Sequence, residues 1–209
     1  MILSLRTTCL ALCTTLATAL AHAGTLQITV LDKDGKTVPD AAVLVRYTVQ
    51  PATRPSIPRS AAIEQEKMRF KPFLSIVPPG TMLSFVNRDA FDHHIRATAP
   101  PPGRDFELRI GPAGSKPGEA RVEAPGSYAL GCHLHSQMRG YVLVAETPWF
   151  GKTDEAGQLT LADLPDGVAE VTVVHPEQFL DQPGQKVTLG AAPAVLSSTL
   201  NFTPRRRRI

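Results

Sequence analysis

Apolar and polar residues alternate along many short runs of this chain, and alternation of this kind is the period of a half-buried β-strand. Turn signals rich in glycine and proline separate the runs, at Asp34-Gly35, Pro78-Pro79-Gly80, Ala124-Pro125-Gly126 and Pro165-Asp166-Gly167. No helical stripe of about ten or more residues follows the N-terminal segment. We therefore predict an all-β fold built from β-sandwiches. The alternating apolar positions include Leu26, Ile28 and Val30, Leu83 and Phe85, Tyr128 and Leu130, and Val171 and Val173.

Two breaks in composition divide the chain into a middle segment and two outer pieces. The first break, residues 50–60, contains three prolines and is typical of a linker. The second break lies at residues 146–154, where a strand pattern that ends at Ala145 gives way to Thr147-Pro148-Trp149-Phe150-Gly151. We expect the middle segment to form a domain of its own.

The N-terminus has the three parts of a secretion signal. Arg6 gives the positive start, Leu10 to Leu20 the apolar middle, and Ala21-His22-Ala23 a small-residue cleavage site. The apolar part is too short to span a bilayer, and no other segment is long and apolar enough to do so. We predict cleavage after Ala23 and export to the periplasm, with no transmembrane segment.

The overall charge gives no indication of a nucleic-acid partner. The formal net charge of the 209-residue chain is +3, and the loss of Arg6 lowers it by one. Positive charge is concentrated in a run from Arg205 to Arg208, within the predicted basic tail, residues 205–209. Such a run is usually a solvated tail, and the alternative is docking to an acidic redox partner or to an anionic envelope surface.

The cysteines restrict the chemistry further. Cleavage of the signal removes Cys9 and Cys13, so Cys132 is the one cysteine expected in the mature chain. An internal disulfide then cannot form. A lone thiol in an oxidising compartment is a liability unless it is buried or bound to a metal. The neighbours His135 and Met138 favour the metal.

Four side chains form the strongest functional signal in the sequence. Cys132, His135 and Met138 lie within seven residues, and His93 lies 39 residues before Cys132. A thiolate, two imidazoles and a thioether are the ligand set of a blue, or type-1, copper site. Cys132 would give the thiolate, His93 and His135 the imidazole nitrogens, and Met138 the weak axial thioether. We therefore predict one type-1 copper ion.

Other uses of these residues fit less well. Structural zinc sites use cysteine and histidine but not methionine, and a c-type haem needs Cys-x-x-Cys-His, which the sequence lacks. A hydrolase that pairs Cys132 with His135 has no visible oxyanion element. His133 and His94 could tune the potential, offer an alternative ligand or lie at the rim of the site, and we expect the rim position for His133. His94 should point away from His93, because adjacent residues on a strand face opposite sides.

Residues 61–145 resemble a cupredoxin of the plastocyanin and amicyanin type. The resemblance rests on Val86-Asn87-x-Asp89 followed by His93, and on the loop Cys132-x-x-His135-x-x-Met138. More narrowly, the chain resembles bacterial methylamine-utilisation proteins of the plastocyanin-like kind, for example in Phe70-Lys71-Pro72 and Met138-Arg139-Gly140-Tyr141. The resemblance implies a periplasmic copper-binding redox protein with the four ligands named above.

The outer pieces resemble the two parts of a carboxypeptidase regulatory-like, or transthyretin-like, β-sandwich. Residues 24–47 match its opening strands, and residues 153–175 match a glycine turn and the strands that follow it. This resemblance implies a discontinuous sandwich, residues 24–60 and 147–204, with a cupredoxin Greek-key β-sandwich, residues 61–146, inserted in it. An insertion disturbs its host little when the ends of the inserted domain lie close together.

These observations favour a carrier of single electrons that cycles between Cu(I) and Cu(II). Its partner would be a redox protein such as a c-type cytochrome, a dehydrogenase or an oxidase. Four protein ligands leave no open position for a substrate, so we do not expect an enzyme. The alternative is a periplasmic copper-binding or copper-handling protein without an electron-transfer role. A third interpretation is an envelope module in which copper only stabilises the fold.

Overall fold

The computed structural model describes residues 23–98 and 104–205. These ranges form sixteen β-strands and no helix, which confirms the predicted all-β fold, and they contain no helix that could cross a membrane. The predicted signal peptide, residues 1–23, lies outside the described residues except for Ala23, and so does the predicted tail, residues 205–209, except for Arg205. The strands in chain order are β1 (Ala23–Leu31), β2 (Ala42–Tyr47), β3 (Ser60–Gln65), β4 (Phe70–Lys71), β5 (Leu74–Val77), β6 (Thr81–Asn87), β7 (His93–Ala97), β8 (Glu107–Ile110), β9 (Gly118–Val122), β10 (Gly126–Cys132), β11 (Arg139–Val144), β12 (Trp149–Lys152), β13 (Gln158–Pro165), β14 (Gly167–Val174), β15 (Gln185–Leu189) and β16 (Ala194–Thr199).

Strands β3 to β11 form two sheets around a common core, and we call this unit the central sandwich. One sheet has the order β5-β11-β10-β7-β8 and the other the order β4-β3-β6-β9. Every second side chain of β6 is buried, including Leu83 and Phe85, and β10 buries Tyr128 and Leu130 in the same way. These side chains come from both sheets and pack into one hydrophobic core.

The remaining strands form a second pair of sheets, which we call the flanking sandwich. Its sheets have the orders β13-β1-β16 and β12-β2-β14-β15. Leu26 and Val30 of β1 are buried in a core that both sheets share. Trp149 packs edge-to-face against Tyr47, with ring centroids 4.7 Å apart. The Tyr47 hydroxyl donates to the carbonyl of Pro165 at 2.6 Å, and burial raises the pKa of Tyr47 to about 12.

The two sandwiches are connected through neighbouring strands. The chain leaves the flanking sandwich after β2 and returns to it through β12, and these two strands pair antiparallel, with Trp149 opposite Val45 and Lys152 opposite Ala42. The two crossings therefore lie side by side, as an insertion into a loop requires. The residue ranges of the two domains, and the transthyretin-like assignment of the flanking sandwich, stay predictions.

A small third cluster packs the two sandwiches against each other. Ala42 of the flanking sandwich is buried together with Leu74 and Leu143 of the central one. The Lys152 ammonium donates to Asp40 Oδ1 at 2.7 Å and to the carbonyl of Leu74 at 3.2 Å. The bond from Lys152 to Leu74 and the apolar cluster cross between the two units and hold the flanking sandwich against the β5 and β11 side of the central one.

Candidate metal centre

The predicted ligands lie at one edge of the five-stranded sheet of the central sandwich. Cys132 is the last residue of β10 and lies opposite Ile95 of β7. His93 is the first residue of β7, two positions before that pairing. On the other side of β10, Gly131 lies opposite Arg139, so a short loop connects β10 to β11. The register of these three strands brings two segments that are distant in sequence to the same place.

Three of the four predicted ligands converge there. Cys132 Sγ lies 3.7 Å from His93 Nδ1 and 3.5 Å from His135 Nδ1. The centroids of the two imidazole rings are 4.9 Å apart. Cys132 and His93 are buried, and His135 is partly exposed. Both histidines therefore direct the same ring nitrogen at one thiol, close to the protein surface.

These separations suit ligands that share one metal ion. A sulfur bond of about 2.3 Å and a nitrogen bond of about 2.0 Å hold their two donor atoms about 3.5 Å apart at a tetrahedral angle, and about 3.7 Å apart at a trigonal angle. The observed separations of 3.5 and 3.7 Å fall on these values. A thiolate with two imidazoles is a donor set suited to copper or zinc. The residues present therefore fit such an ion.

Met138 has a fixed position at the end of the loop. Its side chain is only 2% exposed and belongs to the same hydrophobic core as Cys132. The Met138 amide donates to the carbonyl of His135 at 2.9 Å, which closes the loop into a tight turn. The thioether is thus buried beside the loop that carries the other two ligands, and its role as the axial ligand stays a prediction.

A buried carboxylate holds the outer nitrogen of His93. Asp89 Oδ2 lies 3.0 Å from His93 Nε2, and the amides of Lys67 and Met68 donate to the same carboxylate at 2.6 and 3.0 Å. Burial alone would raise the pKa of Asp89, but the two amide bonds and the bond with His93 outweigh it and lower the pKa. A carboxylate that accepts from Nε2–H leaves the lone pair of Nδ1 directed towards Cys132.

Asn87 fixes the loop that carries Asp89. The Asn87 amide donates to the carbonyls of Phe91 and Gly111 at 2.7 and 2.8 Å, and its oxygen accepts from the Asp89 amide at 2.8 Å. The Phe91 ring packs against both histidine rings of the centre, with centroids 5.5 and 5.1 Å away. Hydrogen bonds and packing therefore set the orientation of the candidate ligands.

Solved structures of similar shape include several copper proteins. Amicyanin from Paracoccus versutus is 19% identical, over 48% of this chain and 97% of its own, with a TM-score of 0.36. A purple cupredoxin from Nitrosopumilus maritimus is 22% identical, over 41% of this chain and 99% of its own, with a TM-score of 0.35. A copper-containing nitrite reductase from Thermus scotoductus is 22% identical, over 47% of this chain but 25% of its own, with a TM-score of 0.39. No protein-family model matches the chain, and a search of curated proteins finds no match.

The layout of the central sandwich agrees with the cupredoxin fold expected from the sequence. Its two facing sheets, the Cys132 loop between β10 and β11, and His93 on the strand beside β10 form the arrangement that the sequence resemblance implied. The three TM-scores are below 0.5, so nothing about the fold or the bound ion is concluded from these proteins.

His133 lies at the rim of the candidate centre, and His94 points away from His93, as predicted. Burial alternates along β7, so His93 is buried while His94 is partly exposed on the opposite face. His133 is exposed, and its Nε2 lies 3.1 Å from Glu107 Oε1. The hydrogen bond with His133 lowers the pKa of Glu107.

The sequence pattern includes Asp89 in the motif Val86-Asn87-x-Asp89 but assigns it no role at the centre, and it singles out neither Phe91 nor Glu107. Asp89 has a weak signal, because a carboxylate four residues before a candidate ligand histidine can reach its outer nitrogen across a tight turn. Phe91 and Glu107 have none that we can identify. Glu107 in particular becomes a neighbour of His94 and His133 only through the pairing of β7 with β8.

Proposed function

We propose that this protein is a blue-copper electron carrier in which His93, Cys132, His135 and Met138 hold one copper ion. The observation that carries the proposal is the convergence of two Nδ1 atoms on the Cys132 sulfur, at 3.5 and 3.7 Å. Bound copper supplies a one-electron couple between Cu(I) and Cu(II). Zinc would suit the same separations, but structural zinc sites do not use methionine, whereas Met138 is buried in the same core as Cys132.

The frame around the ligands supports electron transfer. Cys132 ends a strand with partners on both sides, Asp89 holds His93, and the turn at Met138 closes the ligand loop. Cu(I) and Cu(II) prefer different geometries, and a frame that resists movement keeps the ligands nearly the same in both states. A small change in geometry means a small reorganisation energy and therefore fast transfer.

The surroundings of His135 support docking of a redox partner at this edge. Leu134 is 51% exposed and Phe91 is 42% exposed, so apolar side chains surround the partly exposed imidazole. The adjoining groove, of about 1410 Å³, is lined by six lysines or arginines and three aspartates or glutamates. An excess of positive charge favours a partner with an acidic face. We propose a c-type cytochrome, a dehydrogenase or an oxidase as that partner.

The same reasoning gives the class, compartment and domain arrangement that we propose. Four protein ligands leave no coordination position for a substrate at this centre, so we propose a carrier and not an enzyme. The charge, length and cleavage site of the N-terminal segment support a periplasmic location. Two separate hydrophobic cores support a cupredoxin-like domain, residues 61–146, inserted in a regulatory-like domain, residues 24–60 and 147–204.

Reconstitution with Cu(II) tests the proposal. The wild-type protein should develop an intense visible band, and Cys132→Ser should not, because the thiolate-to-copper charge transfer is lost. Ser136→Ala, which alters an exposed side chain of the same loop, should keep the band. A Cys132→Ser protein that stays coloured would show that Cys132 is not the ligand.

A second measurement separates an electron carrier from a copper-handling protein. After chemical reduction, a carrier keeps its Cu(I) in the presence of a competing Cu(I) chelator and recovers the full band on reoxidation. A copper-handling protein releases Cu(I) to the chelator, and the band does not return. Rapid loss of Cu(I) would therefore overturn the electron-transfer assignment while leaving the ligand set intact.

A further inference from the structure

A second group of potential ligands lies beside the candidate copper centre. His94, Glu107 and His133 bring one nitrogen or oxygen atom each to within 4.8 Å of one another. His94 Nε2 lies 3.4 Å from Glu107 Oε2, and His133 Nε2 lies 3.1 Å from Glu107 Oε1. The two imidazole rings are 4.6 Å apart between centroids. Two imidazoles thus face one carboxylate at the protein surface.

Three strands bring these residues together. Glu107 of β8 lies opposite Arg96 of β7, which makes His94 its diagonal neighbour on the same face of the sheet. The His133 amide donates to the carbonyl of His94 at 2.9 Å, so the start of the ligand loop is pinned beside β7. Backbone hydrogen bonds therefore hold the main chains of the three residues next to one another.

We propose that His94, His133 and Glu107 form a second metal site, which binds a divalent transition-metal ion and binds Cu(II) most tightly. Imidazole nitrogen suits copper, nickel and zinc, and at a given nitrogen and oxygen site Cu(II) has the highest affinity of the divalent first-row ions. Nitrogen and oxygen bonds of about 2.0–2.1 Å hold their donor atoms about 2.9 Å apart at a right angle and about 3.4 Å apart at a tetrahedral angle. The separations of 3.1 and 3.4 Å lie in that range.

The second site differs in character from the candidate copper centre. The side chains of His94, His133 and Glu107 are 32, 37 and 58% exposed, so the ion would be in contact with solvent. Three protein ligands leave coordination positions open for water or a small ligand, as at catalytic metal sites. It contains no sulfur, so its Cu(II) form would have the pale colour and large hyperfine splitting of an ordinary copper complex.

The local charge is mixed. Glu107 supplies the one negative charge of the group, and Arg96, opposite it on β7, places a positive charge nearby. A loosely held alkali or alkaline-earth ion would gain little here, because such ions rely on oxygen ligands and on negative charge. An ion that bonds to imidazole gains from both histidines, and this favours Cu(II) over Ca²⁺ or Mg²⁺.

The two sites are adjacent along the chain. His94 follows the candidate ligand His93, and His133 follows the candidate ligand Cys132. His93 and His94 are neighbours on β7 and point to opposite faces, whereas His133 is the first residue after β10 and is exposed beside the buried Cys132. The second site does not depend on the first for any ligand.

Titration of the metal-free protein with Cu(II), followed by electron paramagnetic resonance, tests the proposal. The wild-type protein should take up two equivalents of Cu(II), one of which gives an ordinary signal with large parallel splitting and nitrogen couplings. The double variant His94→Gln/His133→Gln should lack that signal and take up one equivalent. A wild-type protein without the ordinary signal, or an ordinary signal that persists unchanged in the double variant, would overturn the proposal.

If the double variant does not fold, the single substitution Glu107→Gln at an exposed position still tests the site. Glu107→Gln should weaken binding of the second equivalent at least about tenfold, because even residues that only support metal ligands have effects of that size. Glu119→Gln, which changes an exposed glutamate on β9, should leave the affinity unchanged. Equal affinities in Glu107→Gln and the wild-type protein would contradict the assignment.

The design also separates failure at the two sites. Cys132→Ser should alter the first equivalent and leave the ordinary signal of the second in place. If the wild-type protein shows no thiolate-copper band, the double variant still reveals whether an equivalent is lost with His94 and His133. The experiment therefore tests the second site separately from the proposed electron-transfer function.

Discussion

The change Asp89→Asn tests the buried network that orients His93. The Asp89 carboxylate accepts from the amides of Lys67 and Met68 and pairs with His93 Nε2, at distances between 2.6 and 3.0 Å. Lys67 and Met68 both have positive φ angles, 54° and 57°, in the left-handed region that non-glycine residues rarely adopt. The carboxylate therefore stabilises a turn of unfavourable backbone conformation as well as the histidine.

The size of the effect follows from the number of donors. Three donors share the two carboxylate oxygens, whereas asparagine offers one oxygen and replaces the other with a donor. At least one of the three donors must then lose its partner. A hydrogen bond to a charged group contributes about 1.5–3 kcal/mol, and a buried donor left unsatisfied costs about 1–3 kcal/mol. We expect Asp89→Asn to lower the free energy of unfolding of the metal-free protein by about 1.5–3 kcal/mol.

Urea unfolding of the metal-free protein under reducing conditions measures this change, and Asp92→Asn is the matched control. Asp92 lies on the same loop, but its carboxylate is 43% exposed and faces the Arg109 guanidinium at 3.6 Å, so its loss should cost no more than about 0.5 kcal/mol. Equal stabilities of the Asp89→Asn and Asp92→Asn proteins would refute the network as described.

The effect also has a defined pH dependence. The pKa of Asp89 is lowered in the folded protein from its ordinary value of 3.8, so the ionised form stabilises the fold above that pH. This contribution is lost as the pH falls through the lowered pKa, where the folded protein must also bind the proton. The stability difference between the wild-type protein and Asp89→Asn should therefore shrink in acid, and a difference that grows below pH 3.8 would contradict this sign.

Two further changes test the axial ligand and the backbone. Met138→Leu should keep the visible band and raise the reduction potential, because loss of an axial donor favours Cu(I). The substitution should lower the free energy of unfolding by less than about 1.5 kcal/mol. A lowered potential in voltammetry would contradict the axial role. Gly157→Ala should destabilise the protein more than Gly35→Ala in urea unfolding. Both glycines have positive φ angles, so alanine is strained at either position. A Cβ at Gly157 would also lie 2.8 Å from the Val30 carbonyl oxygen, whereas a Cβ at Gly35 would have no atom within 4 Å. Gly35→Ala carries only the conformational cost, about 1–2 kcal/mol, and equal losses in the two variants would mean that the backbone around Gly157 yields.

The strands could be predicted from the sequence because their signal is local. A period of two fits only a strand with one buried face, so Leu83 and Phe85, or Tyr128 and Leu130, predict both the element and the side that it buries. The pairing of strands carries no such local signal. β2 and β12 are about a hundred residues apart, and their contact depends on how the whole central sandwich folds between them.

At the metal centre, the candidate ligands could be predicted from the sequence, but the residues that hold them could not. Cys132, His135 and Met138 could be predicted as a group because one short loop holds them, and His93 because it follows the motif Val86-Asn87-x-Asp89. The partners of these residues could not. Asp89 acts through the bonds that it accepts from Lys67 and Met68, and such a network exists only in the folded protein.

The second site was beyond sequence reasoning for a related physical reason. His94 and His133 are visible in the sequence as neighbours of candidate ligands and as alternative ligands, but the sequence does not indicate that they face each other or share a third ligand. Glu107 completes the group, and it reaches His94 through the register of β7 with β8. Register is decided by the packing of both strands on the core and cannot be inferred from either strand alone.

Electron paramagnetic resonance of the protein loaded with less than one equivalent of Cu(II) tests the blue-copper assignment most directly. At this loading the centre with the thiolate should fill first. We predict a small parallel copper hyperfine splitting together with intense visible absorption, because the unpaired electron is shared with the Cys132 sulfur. A large splitting with weak absorption, found also in the His94→Gln/His133→Gln protein that lacks the second site, would show that Cys132 does not bind Cu(II), and would contradict the proposed electron carrier.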